Sequence, residues 1–310
     1  MYKYSADFVP PHRYGVGPSC VVLPPEDWQT ILSFLVQRFP SISSLVWESR
    51  IEKGEIIDET GKQIDKNRPY QAYLKIYYFR TVPNEPRIPY EAEIIYQDDH
   101  LLVADKPHFL PVTPSGKYLQ ETLLIRLKRL LNIDDLVPLH RLDRDTAGLV
   151  LFCKTKEKRN AYQKLFRSHQ IHKMYEAIAP WKKLLIWPQT VRSRIIEAGH
   201  FMLQKQVPGK INAITTIDTL EINGSWARYQ LKPETGQRHQ LRVQMMGLGL
   251  PIAGDGLYPI LTPEGHSRPE LPLQLLAKEL SFKDPISGQH HLFISRRNLL
   301  SLEALKTALF

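Results

Sequence analysis

The 310-residue sequence predicts an α+β protein, a small N-terminal α/β domain followed by a larger sheet-rich domain. Three observations predict it. Apolar residues recur at helical spacing in residues 26–39, 122–131 and 156–169. Strand-like runs occupy residues 94–104, 173–178 and 190–232, where Asn223-Gly224 marks a hairpin turn. Pro83, Pro86 and Pro89 punctuate the chain between the two regions.

Residues 1–25 hold five prolines and little periodicity, and read as an extended arm. Residues 26–39 read as a helix, with acidic Glu26-Asp27 at its start, Trp28, Ile31, Leu32, Leu35 and Phe39 on one face, and Pro40 as its stop. Residues 42–56 give a short helix and a turn through Gly54, and residues 70–79 a strand. This unit, residues 26–82, resembles the small αL-type RNA-binding domain found in ribosomal proteins and attached to many RNA-modifying enzymes. It is degenerate: of the usual basic cluster only Arg38, Arg50 and Lys53 stand nearby, so a packing module is the other reading. Residues 83–90 form the expected linker and 91–310 the second domain.

That domain opens with a hairpin of Ile94–Tyr96 and Leu101–Ala104, followed by Asp105-Lys106-Pro107. Leucines 123, 124, 127, 130 and 131 give the helix after Thr122 an apolar stripe. Gly148 to Cys153 reads as a buried strand. Residues 156–169 form a strongly basic helix whose Lys156, Lys158 and Arg159 suit phosphate contacts, or an ordinary solvated face. Residues 237–246 read as a short helix, Leu292–Ser295 as a strand and Leu302–Leu309 as a last helix.

Net charge is +9, and residues 91–310 carry eight of those charges. A polyanionic partner is expected, nucleic acid before membrane. Cys20 and Cys153 make no disulfide framework or zinc spacing, which fits a reducing compartment. The N-terminus lacks an apolar signal core and no run approaches a membrane span, so a cytoplasmic protein is expected.

The most informative stretch runs from Leu139 to Phe152. It sets Asp143 between Arg141 and Arg144, then passes Gly148 into an apolar segment. A carboxylate flanked by guanidinium groups is held ionised, which suits a nucleophile or charge stabiliser; a salt-bridged surface turn is the alternative. His140-Arg141 resembles a kinase catalytic loop, but a leucine intervenes before the Asp and the other kinase signatures are missing. No phosphate-binding loop, dinucleotide fingerprint, nucleophile elbow or metal-ligand spacing occurs. No metal, cofactor or nucleotide cofactor is expected.

Four segments, in order, resemble the RluA-type pseudouridine synthases. They are Asp105-Lys106-Pro107 with Pro111-Val112; His140-Arg141-Leu142-Asp143 with Thr146 and Gly148-Leu149; Lys173-x-Tyr175-x-Ala177; and Gly236-x-x-His239-Gln240-Leu241-Arg242-Val243 with Gly254-Asp255. The resemblance spans about residues 90–297. It implies a pseudouridine synthase fold, with a mixed, mostly antiparallel central sheet, flanking helices and a cleft across the middle. It implies isomerisation of uridines in structured RNA, rRNA or tRNA, by a monomer. Asp143 would act at the ribose–base linkage as nucleophile or base, Arg242 would pair with it, and Tyr175 would stack on the flipped uracil and take the carbon-5 proton. Arg141 would fill the space the base leaves. His140, Lys173, His239 and Gln240 would bind RNA with Lys156, Lys158 and Arg159. Departures stand at Phe109, Thr113, Ala147, Gln237-Arg238 and Gln244. They motivate the alternative of a catalytically silent RNA-binding or RNA-chaperone protein that kept the fold.

Overall fold

The computed structural model describes residues 8–82, 84–262 and 268–308. The first seven residues of the expected arm, Pro83 of the linker and the end of the last expected helix lie outside them. The chain forms two compact units. One runs up to Pro86 and adds Ser115–Gln120 and Lys128–Asp134; the other holds Arg87–Pro114, Glu121–Leu127 and the chain from Asp135 onward. The two short segments, expected in the second domain, thus belong to the first unit.

In the first unit β1 (Ser19–Val22), α1 (Ile31–Arg38), α2 (Ser44–Glu52), β2 (Ile56–Asp58) and β3 (Lys75–Tyr78) follow in order. β3 lies between β1 and β2, antiparallel to both. β1 corrects the expected arm: Ser19–Val22 pairs with β3, and Val21 packs against the core. α1 starts later than expected because Thr30, not Glu26, caps it, in a capping box with Ser33. The strand expected over 70–79 shrinks to β3 because Tyr73 adopts φ +66°, outside the extended region. Ile31, Phe34, Leu35, Trp47, Ile56 and Ile76 form the core. Arg50 is buried, its guanidinium 4.9 Å from the Trp47 ring centroid, so it does not belong to a basic surface.

The second unit is built on one sheet. In chain order its strands are β4 (Glu93–Gln97), β5 (Leu101–Lys106), β6 (Val137–Pro138), β7 (Ala147–Cys153), β8 (His172–Pro180), β9 (Gln189–Glu197), β10 (Gln204–Val207), β11 (Ala213–Asn223), β12 (Trp226–Pro233), β13 (Leu275–Lys283) and β14 (His290–Ile294). Their spatial order is β10-β9-β11-β12-β8-β13-β7-β5-β4, with β14 beside β13 and β6 beside β7. Only β13 and β7 pair in parallel among the described strands. The expected mixed, mostly antiparallel sheet is therefore present.

The remaining helices are α3 (Leu123–Leu131, whose last four residues fall in the first unit), α4 (Arg159–Arg167, after a 3-10 turn at Lys156–Lys158), α5 (Gln240–Gly247) and α6 (Leu302–Ala308). Leu241 and Met245, four residues apart, seat α5 against Ala177 on β8 and Tyr229 and Leu231 on β12. Leu302 and Leu305 of α6 pack with Ala147, Ile178 and Leu276.

β13, which the sequence reading passed over, lies between the strand that carries Tyr175 and the strand that follows Asp143. Its approach to β7 requires Gly148. A Cβ there would lie 2.3 Å from the Ala277 carbonyl oxygen, and the backbone sits at φ +113°.

Candidate active site

The loop from His140 to Thr146 delivers Asp143 just before β7, and α5 delivers Arg242 from 99 residues away. The Arg242 Nη1 donates to Asp143 Oδ2 at 3.3 Å. Its Nε and Nη2 donate to the two carboxylate oxygens of Asp255, at 2.8 and 2.6 Å. Asp255 also accepts from the backbone N–H groups of Leu257 and Tyr258. Gly254 makes that turn possible: its φ is +72° and a Cβ would fall 2.4 Å from the Pro272 carbonyl oxygen. Arg242, only 3% exposed, is therefore a buried cation with a carboxylate on each side, which offsets its desolvation.

The Asp143 side chain keeps 31% of its surface open. Burial pushes its carboxyl up, but His239, Arg242 and Lys106 outweigh burial and hold it below the ordinary carboxylate value. His239 helps only when protonated, and burial holds its ring below the usual value. Near neutral pH the effect therefore rests mainly on Arg242, because Lys106, lowered to about 7, is only partly charged there.

His239 stands at φ +55° before α5, with Nε2 3.8 Å from Asp143 Oδ1 and Nδ1 3.1 Å from the Tyr258 hydroxyl. Its side chain is 7% exposed, and the structure puts it at the carboxylate. Tyr175 lies on β8 in register with Leu231 and Ala277. Burial first, and the Asp143 charge second, push its phenol well above the ordinary value. The ring therefore faces the site as a neutral phenol.

Lys106, which belongs to the Asp105-Lys106-Pro107 segment, is wholly buried near the site. Its Nζ donates to the carbonyl oxygens of Pro107 and Arg144, both at 3.0 Å. Burial lowers it to about 7, with Asp145 and Asp143 opposing that shift. Its neighbour Asp105 is equally buried and is satisfied by the Ser295 hydroxyl and the Arg296 N–H.

Other expected RNA contacts separate in space. Arg141 is exposed, and Lys173 lies half-buried on β8. His140 Nε2 accepts from the Leu151 N–H at 3.1 Å and its ring stacks on Phe166. Burial, helped by Lys173, lowers it to about 3, so it is a neutral ring engaged inside the protein. Gln240 is corrected: it is 4% exposed, with its amide oxygen accepting from Gln237 N and Thr235 Oγ1 and its nitrogen donating to Ile214 O and Thr215 Oγ1. A side chain satisfied at both ends is engaged within the protein, where it shapes the turn. Lys156 is exposed, whereas Arg159 donates to the Asp135 carbonyl and carboxylate.

Two of the departures from the family pattern, Gln244 and Phe109, have local explanations. Gln244, fully buried, accepts from Thr215 Oγ1 and donates to Ser193 Oγ. Phe109 keeps φ +66°, the backbone that a glycine there adopts freely.

The family model for RNA pseudouridylate synthase matches residues 100–246, which contain Asp143, Tyr175 and Arg242. The dual-specificity RNA pseudouridine synthase RluA of Haemophilus influenzae is 31% identical over 224 residues, covering 66% of this chain and 93% of its own length. An RNA pseudouridine synthase of Synechocystis sp. is 31% identical over 240 residues, 74% of this chain and 79% of its own. This chain belongs to the RluA-type RNA pseudouridine synthases.

It is an isomerase that acts on uridine in RNA. Among solved structures, human RNA pseudouridylate synthase domain containing 4 is 26% identical, with a TM-score of 0.52 over 68% of this chain and 90% of its own. No helix among the described residues is long and apolar enough to cross a membrane.

Proposed function

We propose that Asp143 is the catalytic residue of this synthase, acting on the ribose–base linkage of a uridine flipped out of structured RNA. The observation that carries this is the Arg242–Asp143 pair: a carboxylate kept ionised, yet with 31% of its surface open to a substrate. The reaction breaks the bond between N1 and C1′, turns the uracil, and joins C5 to C1′; C5 loses its proton and N1 gains one, so the product is an isomer of the substrate. Asp143 acts as nucleophile on C1′ or as base on a sugar proton. Tyr175 stacks on the uracil; its phenol is held neutral and takes no proton itself, so the carbon-5 proton leaves to solvent. Arg242 keeps Asp143 oriented and charged.

The RNA is ribosomal or transfer RNA, in keeping with two relatives named a ribosomal large subunit pseudouridine synthase and a tRNA pseudouridine(32) synthase. Arg141 fills the space left by the flipped base, and Lys156 and Lys158 add phosphate contacts from an outward-facing turn. The enzyme works as a monomer in the cytoplasm, where its free thiols Cys20 and Cys153 stay reduced.

The test is a carbodiimide primer-extension map of ribosomal and transfer RNA from cells with and without the gene. Pseudouridine sites that vanish with the gene identify the substrate. An unchanged map supports the silent RNA-binding reading.

A further inference from the structure

Beside the active site lies an open groove of about 510 Å³ that the reaction as described does not use. It begins at Lys173, two residues before Tyr175 on β8, and so on the same face of that strand. Two residues of strand span roughly 7 Å. Adjacent nucleotides of a stacked strand are about 3.4 Å apart, and an unstacked strand stretches further. A strand whose uridine stacks on Tyr175 therefore passes its neighbouring nucleotide over this groove.

The lining suits such a visitor. Ile171, Met174 and Ile214 provide apolar wall, and Lys173 and Lys232 provide two cations. Among the described residues no carboxylate or carbonyl lies within hydrogen-bond distance of the Lys173 ammonium, although burial lowers its pKa. Gly236 lies beside the ammonium: a Cβ there would meet Nζ at 4.0 Å, in ordinary contact. Glu234 and Glu279 also line the groove. They disfavour a run of phosphates but accept from the N–H groups of a base, as carboxylates do from the cytosine amino group.

We propose that this groove is a subsite for the nucleotide adjoining the target uridine, with one phosphate on Lys173 and the base against Ile171, Met174 and Ile214. The subsite selects an amino-bearing base through Glu234 and Glu279. It rests on the reading that Tyr175 receives the target uracil.

The test compares wild type, Lys173→Gln, Lys173→Arg and Asp143→Asn as full-length chains. The probe is total RNA from cells lacking the gene. Single-turnover isomerisation is read by carbodiimide primer extension over a range of enzyme concentrations and salt. Lys173→Gln is expected to raise the half-saturating enzyme concentration by about tenfold, leave the maximal rate within about twofold, and reduce the salt slope by about one contact, with Lys173→Arg restoring most of the loss. Half-saturation and salt slope equal to wild type in Lys173→Gln overturn the subsite, as does a lost maximal rate with unchanged half-saturation. An active Asp143→Asn instead overturns the active-site reading, so the two failures are told apart.

Discussion

Arg242 holds Asp255 more closely than it holds Asp143: two hydrogen bonds of 2.8 and 2.6 Å against one of 3.3 Å. The guanidinium is thus fixed by the carboxylate that faces away from substrate. The orientation of Asp143 depends on Asp255, a residue that meets no reacting atom in this scheme. Asp255→Asn leaves Arg242 buried with one charged partner. Breaking a buried pair of this kind costs about 3–5 kcal/mol, and the isosteric amide places the expected loss near about 3 kcal/mol. The rate at saturating RNA is expected to fall by more than about tenfold, since a shift of 1.4 kcal/mol in the transition state suffices. Urea melts and single-turnover rates check both; a rate within about twofold of wild type contradicts the dependence.

Tyr175 is held as a neutral ring by burial and by the Asp143 charge. If the ring stacks on uracil, Tyr175→Phe keeps RNA affinity within about twofold while Tyr175→Ala weakens it by the roughly 1–3 kcal/mol that a base–aromatic stack is worth. Filter binding of the mapped substrate distinguishes them. Equal losses in the two variants contradict stacking.

Lys106 makes stability depend on pH on the alkaline side. Its folded value is about 7, against about 10.4 in an unfolded chain. Between these values the unfolded state binds more protons, so stability rises with pH. The rise is at most about 1.4 kcal/mol per pH unit from this residue. It is expected in wild type between pH 7 and 9 and absent from Lys106→Met, as read from urea midpoints. Parallel profiles contradict the buried, depressed ammonium.

The outward basic turn at Lys156–Lys158 makes RNA affinity salt-dependent. Replacing both Lys156 and Lys158 by Gln removes two phosphate contacts and lowers the slope of log K against log salt by roughly 1.4–1.8. Arg159, engaged by Asp135, contributes less. A slope unchanged in the double variant removes this turn from the RNA face.

Much of the framework was legible because it is local. Ile94 to Ala104 gave a hairpin through alternation and an intervening Asp98-Asp99 turn, and the fold has β4 and β5 there. Asn223-Gly224 likewise joins β11 and β12. β13 was not legible. Lys278 and Glu279 interrupt its apolar run at a bulge, and only its neighbours on both sides make it a central strand. β1 was masked by the prolines around it.

The site shows the same division. Asp143, Tyr175 and Arg242 were found as residue types in motifs. The roles of Lys106 and His239 depend on contacts across long stretches of chain, which no local pattern encodes, and that of Asp255 on a turn that brings it back to Arg242. Gln240 misled for the opposite reason: a polar side chain beside a motif reads as a ligand contact, while here it is spent on Thr235, Ile214 and Thr215.

The central claim is that the carboxylate of Asp143 performs the isomerisation. Asp143→Asn keeps the size of the side chain and removes its charge. With RNA carrying the mapped uridine, carbodiimide primer extension is expected to detect no pseudouridine from the purified variant, while its RNA affinity stays within about threefold of wild type, less than the tenfold that 1.4 kcal/mol represents. Full conversion by Asp143→Asn would contradict the account.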